Sequence, residues 1–298
     1  MTQIGRSNRR HVVQMPGCSD ERVELAWAAL SDKGHHRAVN EDSLIARPPI
    51  FAVADGMGGH SAGDFASAAV VTRLAEQVSA PLVSRELLDD ALRAAVGDMG
   101  RGVGHTDLGT GTTVTGIALT DTDGAPSWLV FNIGDSRVYR LADGILEQLT
   151  VDHSVVQELM DAGAITRAEA EVHPHSNVIT RAVGFNEDPI PDYTLIPIVS
   201  GTRFLICSDG ITKELTEHGI RHFLTEGLSA QGAGQLLIDA ALGNGGRDNV
   251  TVIVVDVLRS PTTDFAETRG KPAETGTGET VAGGSEITRR RGRSSRRH

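Results

Sequence analysis

A chain of 298 residues with 39% hydrophobic and 22% charged residues can bury a full core and divides into one or two domains. Its net charge of −11 argues against a body that binds nucleic acid, and no apolar run approaches the ~20 residues of a membrane-spanning helix. The two cysteines, Cys18 and Cys207, are too few for a disulfide framework and fit a reducing, cytoplasmic setting.

Residues 1–22 are polar and basic and read as a flexible N-terminal extension. Arg9-Arg10 is followed only by His11 to Met15, too short and polar for the apolar part of an export signal. From Val23 to Leu30 the pattern is that of a strand buried on more than one face, and Leu44–Ala46 and Phe51–Ala54 are further short strands. Across 60–80, Ala66, Ala69, Val70, Leu74 and Val78 recur at helical spacing. Leu87, Leu88, Leu92 and Val96 repeat the signal over 85–99.

Strands follow at 112–119, 127–133, 138–141 and 145–149, with Ala142-Asp143-Gly144 as a hairpin turn. Residues 154–161 and 167–171 read as two short helices in a polar insertion. Strands at 195–199 and 202–207, helices at 220–224 and 231–242, and a strand at 251–258 complete the pattern. Without regular β-α-β alternation, an α+β sandwich is favoured over a doubly wound sheet. After Ser260 the chain turns to Thr, Gly, Glu, Pro and Arg, so 259–298 reads as a disordered tail. That tail has nine basic and five acidic residues, which leaves −15 on residues 1–258.

Four apolar runs touch an aspartate. Phe51–Ala54 ends in Asp55-Gly56, Trp128–Gly134 in Asp135, and Arg203–Ser208 in Asp209-Gly210, while Asp248-Asn249 precedes Val250–Val255. Glu41-Asp42 adds two acids beside another short strand. Any one Asp-Gly after a strand reads first as a turn. Together, the ends of strands sharing a sheet can gather several carboxylates in one pocket, and like charges that close require protons or hard cations. An all-oxygen site suits Mg²⁺ or Mn²⁺, and two such ions can share a water and lower its pKa for attack on phosphorus. Gly56 lets the backbone approach, and its carbonyl is a possible ligand. Arg37, four residues before Glu41, is placed to take two phosphate oxygens, although alone it reads as a surface arginine. No Gly-x-x-x-x-Gly-Lys loop, His-Glu-x-x-His or Cys-x-x-Cys pair competes with this reading.

Gly34–Ser43 resembles the first signature of the metal-dependent protein phosphatases of type 2C, and Val53–His60 the second. Gly111-Thr112-Thr113, Asn132–Arg137, Asp152-His153-Ser154, Leu205–Gly210 and Asp248–Thr251 are similar to later signatures, in order, across about 23–258. Met57-Gly58-Gly59 is most similar to the bacterial branch. The resemblance implies an α-β-β-α sandwich of two antiparallel sheets flanked by helix pairs, with a flap at about 154–181. It implies that Asp55 bridges two metals, that the Gly56 carbonyl completes one site, and that Asp209 and Asp248 hold the other, with Glu41 and Asp42 acting directly or through water. Asp135, with Asp209, is implied in a third, weaker metal site, and Arg37 in holding the substrate phosphate.

The implied activity is metal-dependent hydrolysis of phosphoserine and phosphothreonine in proteins by a metal-bridging hydroxide. Serine/threonine kinases and their substrates are the implied partners, and the implied state is a monomer. The position after Asp55-Gly56, a histidine in animal-type members, is Met57, which cannot protonate a leaving alkoxide. A water at the third metal, and hence Asp135, then gains weight for that step. A pseudophosphatase that binds phosphorylated partners without turnover is the alternative, disfavoured because all the metal acids and Arg37 are present. A two-metal nuclease fits the acidic body poorly. Thr275, Thr277, Thr280, Thr288 and Arg289–Arg297 make the tail either a solubilising segment or a regulatory one.

Overall fold

The computed structural model describes residues 1–15, 22–58, 61–79, 81–102, 110–185, 188–226 and 228–260. Cys18, Gly59-His60 and the tail threonines and arginines lie outside them.

Among the described residues, two sheets form. One runs in the order β1 (Gln3–Gly5), β4 (Asp42–Arg47), β5 (Ile50–Met57), β7 (Val114–Thr122), β8 (Ala125–Ile133) and β11 (Asp192–Pro197), with β6 (Gly111–Thr112) paired to the end of β5. The other runs β10 (Ile145–Gln148), β9 (Arg137–Ala142), β12 (Arg203–Cys207), β13 (Val250–Arg259), β3 (Arg22–Asp32) and β2 (Asn8–Gln14). Neighbours are antiparallel except β1 and β4, which pair parallel.

The central strands are apolar on both sides because each faces two layers. In β3, Val23, Leu25, Trp27 and Ala29 point between the sheets, while Ala28 and Leu30 point outward. In β5, Phe51 and Val53 face inward, and Ile50, Ala52 and Ala54 face out. A run of edge-to-face aromatic contacts crosses the inner layer from Trp27 to Phe51, Trp128 and Phe204, at 5.3, 6.4 and 5.7 Å between centroids. Outside the first sheet lie α1 (Ser61–Glu76) and α2 (Arg85–Gly102), which bury Ala66, Val70, Leu74, Leu88, Leu92 and Met99 against it. The second sheet carries α6 (Glu217–Thr225) and α7 (Ala230–Gly243) through Ile220, Leu224, Ala233, Leu237 and Ala241. The result is the α-β-β-α sandwich, an α+β fold. No helix among the described residues is long and apolar enough to cross a membrane.

The flap holds α3 (Val155–Asp161) and α4 (Arg167–Glu171), capped by Ser154 and by a Thr166–Glu169 capping box. Its ends are pinned by Val155 N–H to Val178 O and Thr180 N–H to His153 O.

Two expectations need correction. The segment 1–22 is not a loose extension along its length: β1 pairs with β4 in register Gln3↔Leu44, and β2 pairs with β3 in register Val13↔Val23. Both are edge strands held by backbone bonds, with few side chains buried, so their sequence carries no apolar alternation. The strand expected at 195–199 lies at Asp192–Pro197, because this edge strand is mostly exposed and its apolar cue is displaced toward buried Ile198.

Candidate active site

Five strand ends meet at one end of the sandwich. Asp42 opens β4 and stands opposite Asp55 of β5 in register. Asp135 follows β8, Asp209 follows β12 and begins α5 (Asp209–Thr212), and Asp248 precedes β13. Asp55 and Gly56 are not a turn: β5 continues through Met57, and Gly56 pairs with Thr112.

Asp42 is fully buried, and its Oδ2 accepts from Ser208 Oγ at 2.9 Å and Thr251 Oγ1 at 2.6 Å. Burial pushes its carboxyl up, the two hydroxyls oppose this, and Asp209 and Asp248 push it further, to about 7. Burial, then Asp42, Asp209, Asp135 and Asp248, raise Asp55 well above the usual carboxylate range. Asp135 is pushed up to about 7 by burial and by Asp209 and Asp152, against Lys213. Asp209 is raised as well, burial outweighing the help of Lys213. Four mutually repelling carboxylates, Asp42 buried and the other three partly so, are costly unless they hold protons or cations.

The backbone around them is fixed. Asp55 N–H donates to Thr113 Oγ1 at 3.0 Å, and Thr112 Oγ1 donates to Asp55 O at 2.9 Å. Thr113 and Ser136 share a hydroxyl bond of 2.9 Å, which ties the Asp135 turn to the Asp55 strand. Gly134, at φ +110°, turns the chain there, and a Cβ on it would stand 2.5 Å from Thr113 Cγ2. His153 Nδ1 accepts from Gly134 N–H at 3.1 Å, so its Nε2 carries the proton toward Asp192 at 3.0 Å. Asn249 Oδ1 accepts from Glu41 N–H at 2.9 Å, and its Nδ2 donates to Lys33 O and Val39 O at 2.9 and 3.0 Å. One side chain thereby holds the loop that presents Arg37 and Glu41. Glu41 Oε1 lies beside Gly63 of α1, and Gly56 meets the same residue: a Cβ on Gly56 would lie 2.1 Å from Gly63 O.

The donor set fits hard divalent cations. It is all oxygen, and the buried Oδ1 atoms of Asp42 and Asp209 have no hydrogen-bond partner among the described residues. Among those residues the acids do not close into a finished cage of three. Two cations of the chain lie among them instead. Arg37 is 2.7 Å from Asp248 Oδ1, and the Lys213 ammonium is ion-paired with Asp209 Oδ2 and 3.1 Å from Asp248 Oδ2. Burial works against the Lys213 charge, yet the two carboxylates hold its pKa above the ordinary lysine range.

All the predicted residues thus lie at this end. Sequence reasoning missed Lys213, Ser208, Thr113, Ser136 and the role of Asn249. Ser208, Thr113, Ser136 and Asn249 all stand inside the quoted motifs, but Lys213 has no sequence signal beyond its i+4 spacing from Asp209.

A family profile described as Protein phosphatase 2C matches residues 32–242. Over 240 residues the chain is 42% identical to the serine/threonine protein phosphatase PstP of Mycobacterium tuberculosis, covering 78% of this chain and 45% of PstP. It therefore spans less than half the length of that relative. Over 239 residues it is 33% identical to the serine/threonine phosphatase stp of Listeria monocytogenes, covering 76% of this chain and 93% of stp. A solved catalytic domain of PstP in complex with two manganese ions has a TM-score of 0.69 at 38% identity, over 80% of this chain and 99% of that one. The chain belongs to the protein phosphatase 2C family.

Proposed function

We propose that this chain hydrolyses phosphoserine and phosphothreonine in proteins, with Mn²⁺ or Mg²⁺ as cofactor. The observation that carries this reading is the meeting of Asp42, Asp55, Asp135, Asp209 and Asp248 at one end of the sandwich, with Arg37 reaching the same acids. Asp55 and the Gly56 carbonyl would hold one cation, and Asp209 and Asp248 another, with Glu41 and Asp42 contributing directly or through water. Asp135 and Asp209 would hold a third, weaker one. When bound, the cations supply Lewis acidity and a water of lowered pKa.

Arg37 orients the phosphate through its planar pair of N–H donors. The flap between Ser154 and Arg181 borders the site: Val183, just past it, exchanges backbone bonds with Thr112 at 3.0 and 2.9 Å. Met57 has no proton for the leaving alkoxide, so turnover rests on the polar end of the site around Asp135. A monomer is the state this reading expects. Serine/threonine kinases and their substrates are the partners this reading expects, in the cytoplasm, where the buried free thiol of Cys207 stays reduced.

The test is hydrolysis of p-nitrophenyl phosphate with Mn²⁺, with EDTA, and by Asp209→Asn. Turnover that needs Mn²⁺ and is lost in the variant supports the reading. A folded protein that binds Mn²⁺ without turnover would point to phosphoprotein binding alone.

A further inference from the structure

Lys213 follows Asp209 by one helical turn at the end of α5. Its ammonium joins two acids from different parts of the chain, Asp209 after β12 and Asp248 before β13. An i,i+4 lysine–aspartate pair on an open helix face is an ordinary surface contact worth little. This pair differs in its surroundings. The Asp209 and Asp248 side chains are only 14% and 15% exposed, and Asp248 is gripped on its other oxygen by Arg37. Of the four carboxylate oxygens that the proposed function assigns to one metal position, cationic side chains engage all but Asp209 Oδ1.

A carboxylate oxygen whose lone pairs face an ammonium cannot also face a divalent cation without sharing or releasing that ammonium, and a lysine charge beside a metal repels it. The Lys213 side chain is 32% exposed, so a path to solvent is open to it.

We propose that Lys213 is an internal competitor for the metal position of Asp209 and Asp248. It holds the two acids together before a cation binds and is displaced when one does, so it sets the metal affinity of the site. The inference rests on the metal reading of these acids. It gives one lysine opposite effects on two forms of the protein: it stabilises the metal-free form and weakens metal uptake. A purely structural lysine would stabilise both.

The experiment is calorimetric titration of Mn²⁺ into the full chain, as wild type, Lys213→Met and Lys213→Arg, with thermal melts in EDTA and in Mn²⁺. Lys213→Met should bind Mn²⁺ about tenfold more tightly than wild type. It should also melt lower in EDTA and gain more from Mn²⁺. Lys213→Arg, which keeps the charge, should stay at or below wild-type affinity. Should the methionine variant fail to fold, Lys213→Gln, uncharged but still a hydrogen-bond donor, is read in the same way. Equal or weaker Mn²⁺ binding in a cooperatively melting uncharged variant overturns the proposal. Absence of Mn²⁺ binding in wild type and variants alike overturns the metal reading, and the proposal falls with it.

Discussion

Thr251, in the sheet of β13, donates a 2.6 Å hydrogen bond to Oδ2 of Asp42, in the facing sheet. This bond links the two layers at the site and favours the charged form of a carboxyl that burial drives toward neutrality. Thr251→Val keeps the shape and removes the donor, so the Asp42 pKa should rise beyond about 7. In EDTA the pH at which this carboxyl ionises should then move up, with stability lower by about 1–2 kcal/mol. A titration in EDTA that does not move would separate Thr251 from control of this carboxyl.

The same acids fix how stability depends on pH. Asp42 and Asp135 are each raised to about 7, so between the unfolded carboxylate value near 4 and about 7 the folded chain binds more protons than the unfolded one. In EDTA, stability should therefore fall as pH rises through that window, by on the order of a few kcal/mol. With saturating Mn²⁺ the trend should reverse, since cation binding requires the deprotonated ligands. Urea denaturation at pH 5 and pH 7.5, with each additive, reads both slopes. Equal slopes in EDTA and Mn²⁺ would remove the cations from this pocket.

Asp135 sits apart from the Asp42–Asp55 pair on its own turn, so its loss should leave the main cation positions standing. Asp135→Ala is expected to lower turnover of p-nitrophenyl phosphate at saturating Mn²⁺ by at least about tenfold, within the range for loss of a group acting on proton transfer. Tight Mn²⁺ uptake, measured by calorimetry, should persist. Full turnover in the variant would discard the role given to Asp135.

Gly56 and Gly63 touch backbone to backbone, and no side-chain movement can relieve a Cβ placed 2.1 Å from Gly63 O. Gly56→Ala should cost more than about 3 kcal/mol or prevent folding. Gly243→Ala, at the end of α7 with nothing within 4 Å of its Cβ, should leave stability unchanged or slightly raised. Thermal melts of the two variants make the comparison.

The acids were legible because each stands beside a short apolar run, and the central strands were legible because both of their faces are buried. The helix expected at 167–171 lies at Arg167–Glu171, where Thr166 and Glu169 form a capping box. The less legible features are made by contacts distant in sequence. Asn249 reaches Lys33, Val39 and Glu41 across more than two hundred residues, and Lys213 acquires its second acid only when β13 is laid beside β12. Neither relation leaves a periodicity.

The N-terminal strands are the sharpest such case, and they carry a direct test. Nothing in the polar run Asn8–Gln14 announces a strand, yet β2 supplies the edge of one sheet and β1 the edge of the other. Trp27 Nε1–H donates to Arg6 O at 2.8 Å, and the His11 ring stands edge-on to Trp27 at 5.6 Å. Glu24, 9% exposed in its side chain, is paired by Arg10 at 2.8 Å and more distantly by Arg22 at 3.7 Å. Val13 and Met15 close the inner layer. Deleting residues 1–14 should thus expose two strand edges, orphan the Trp27 indole and weaken the counter-charge of Glu24. The melting temperature should fall by roughly 5–10 °C, with a rising tendency to aggregate. Hydrolysis of p-nitrophenyl phosphate well below the new melting point should be retained, because no residue of the site lies in the deleted segment. A loose extension could be removed with no change in melting, and that result would contradict the pairing of β1 and β2.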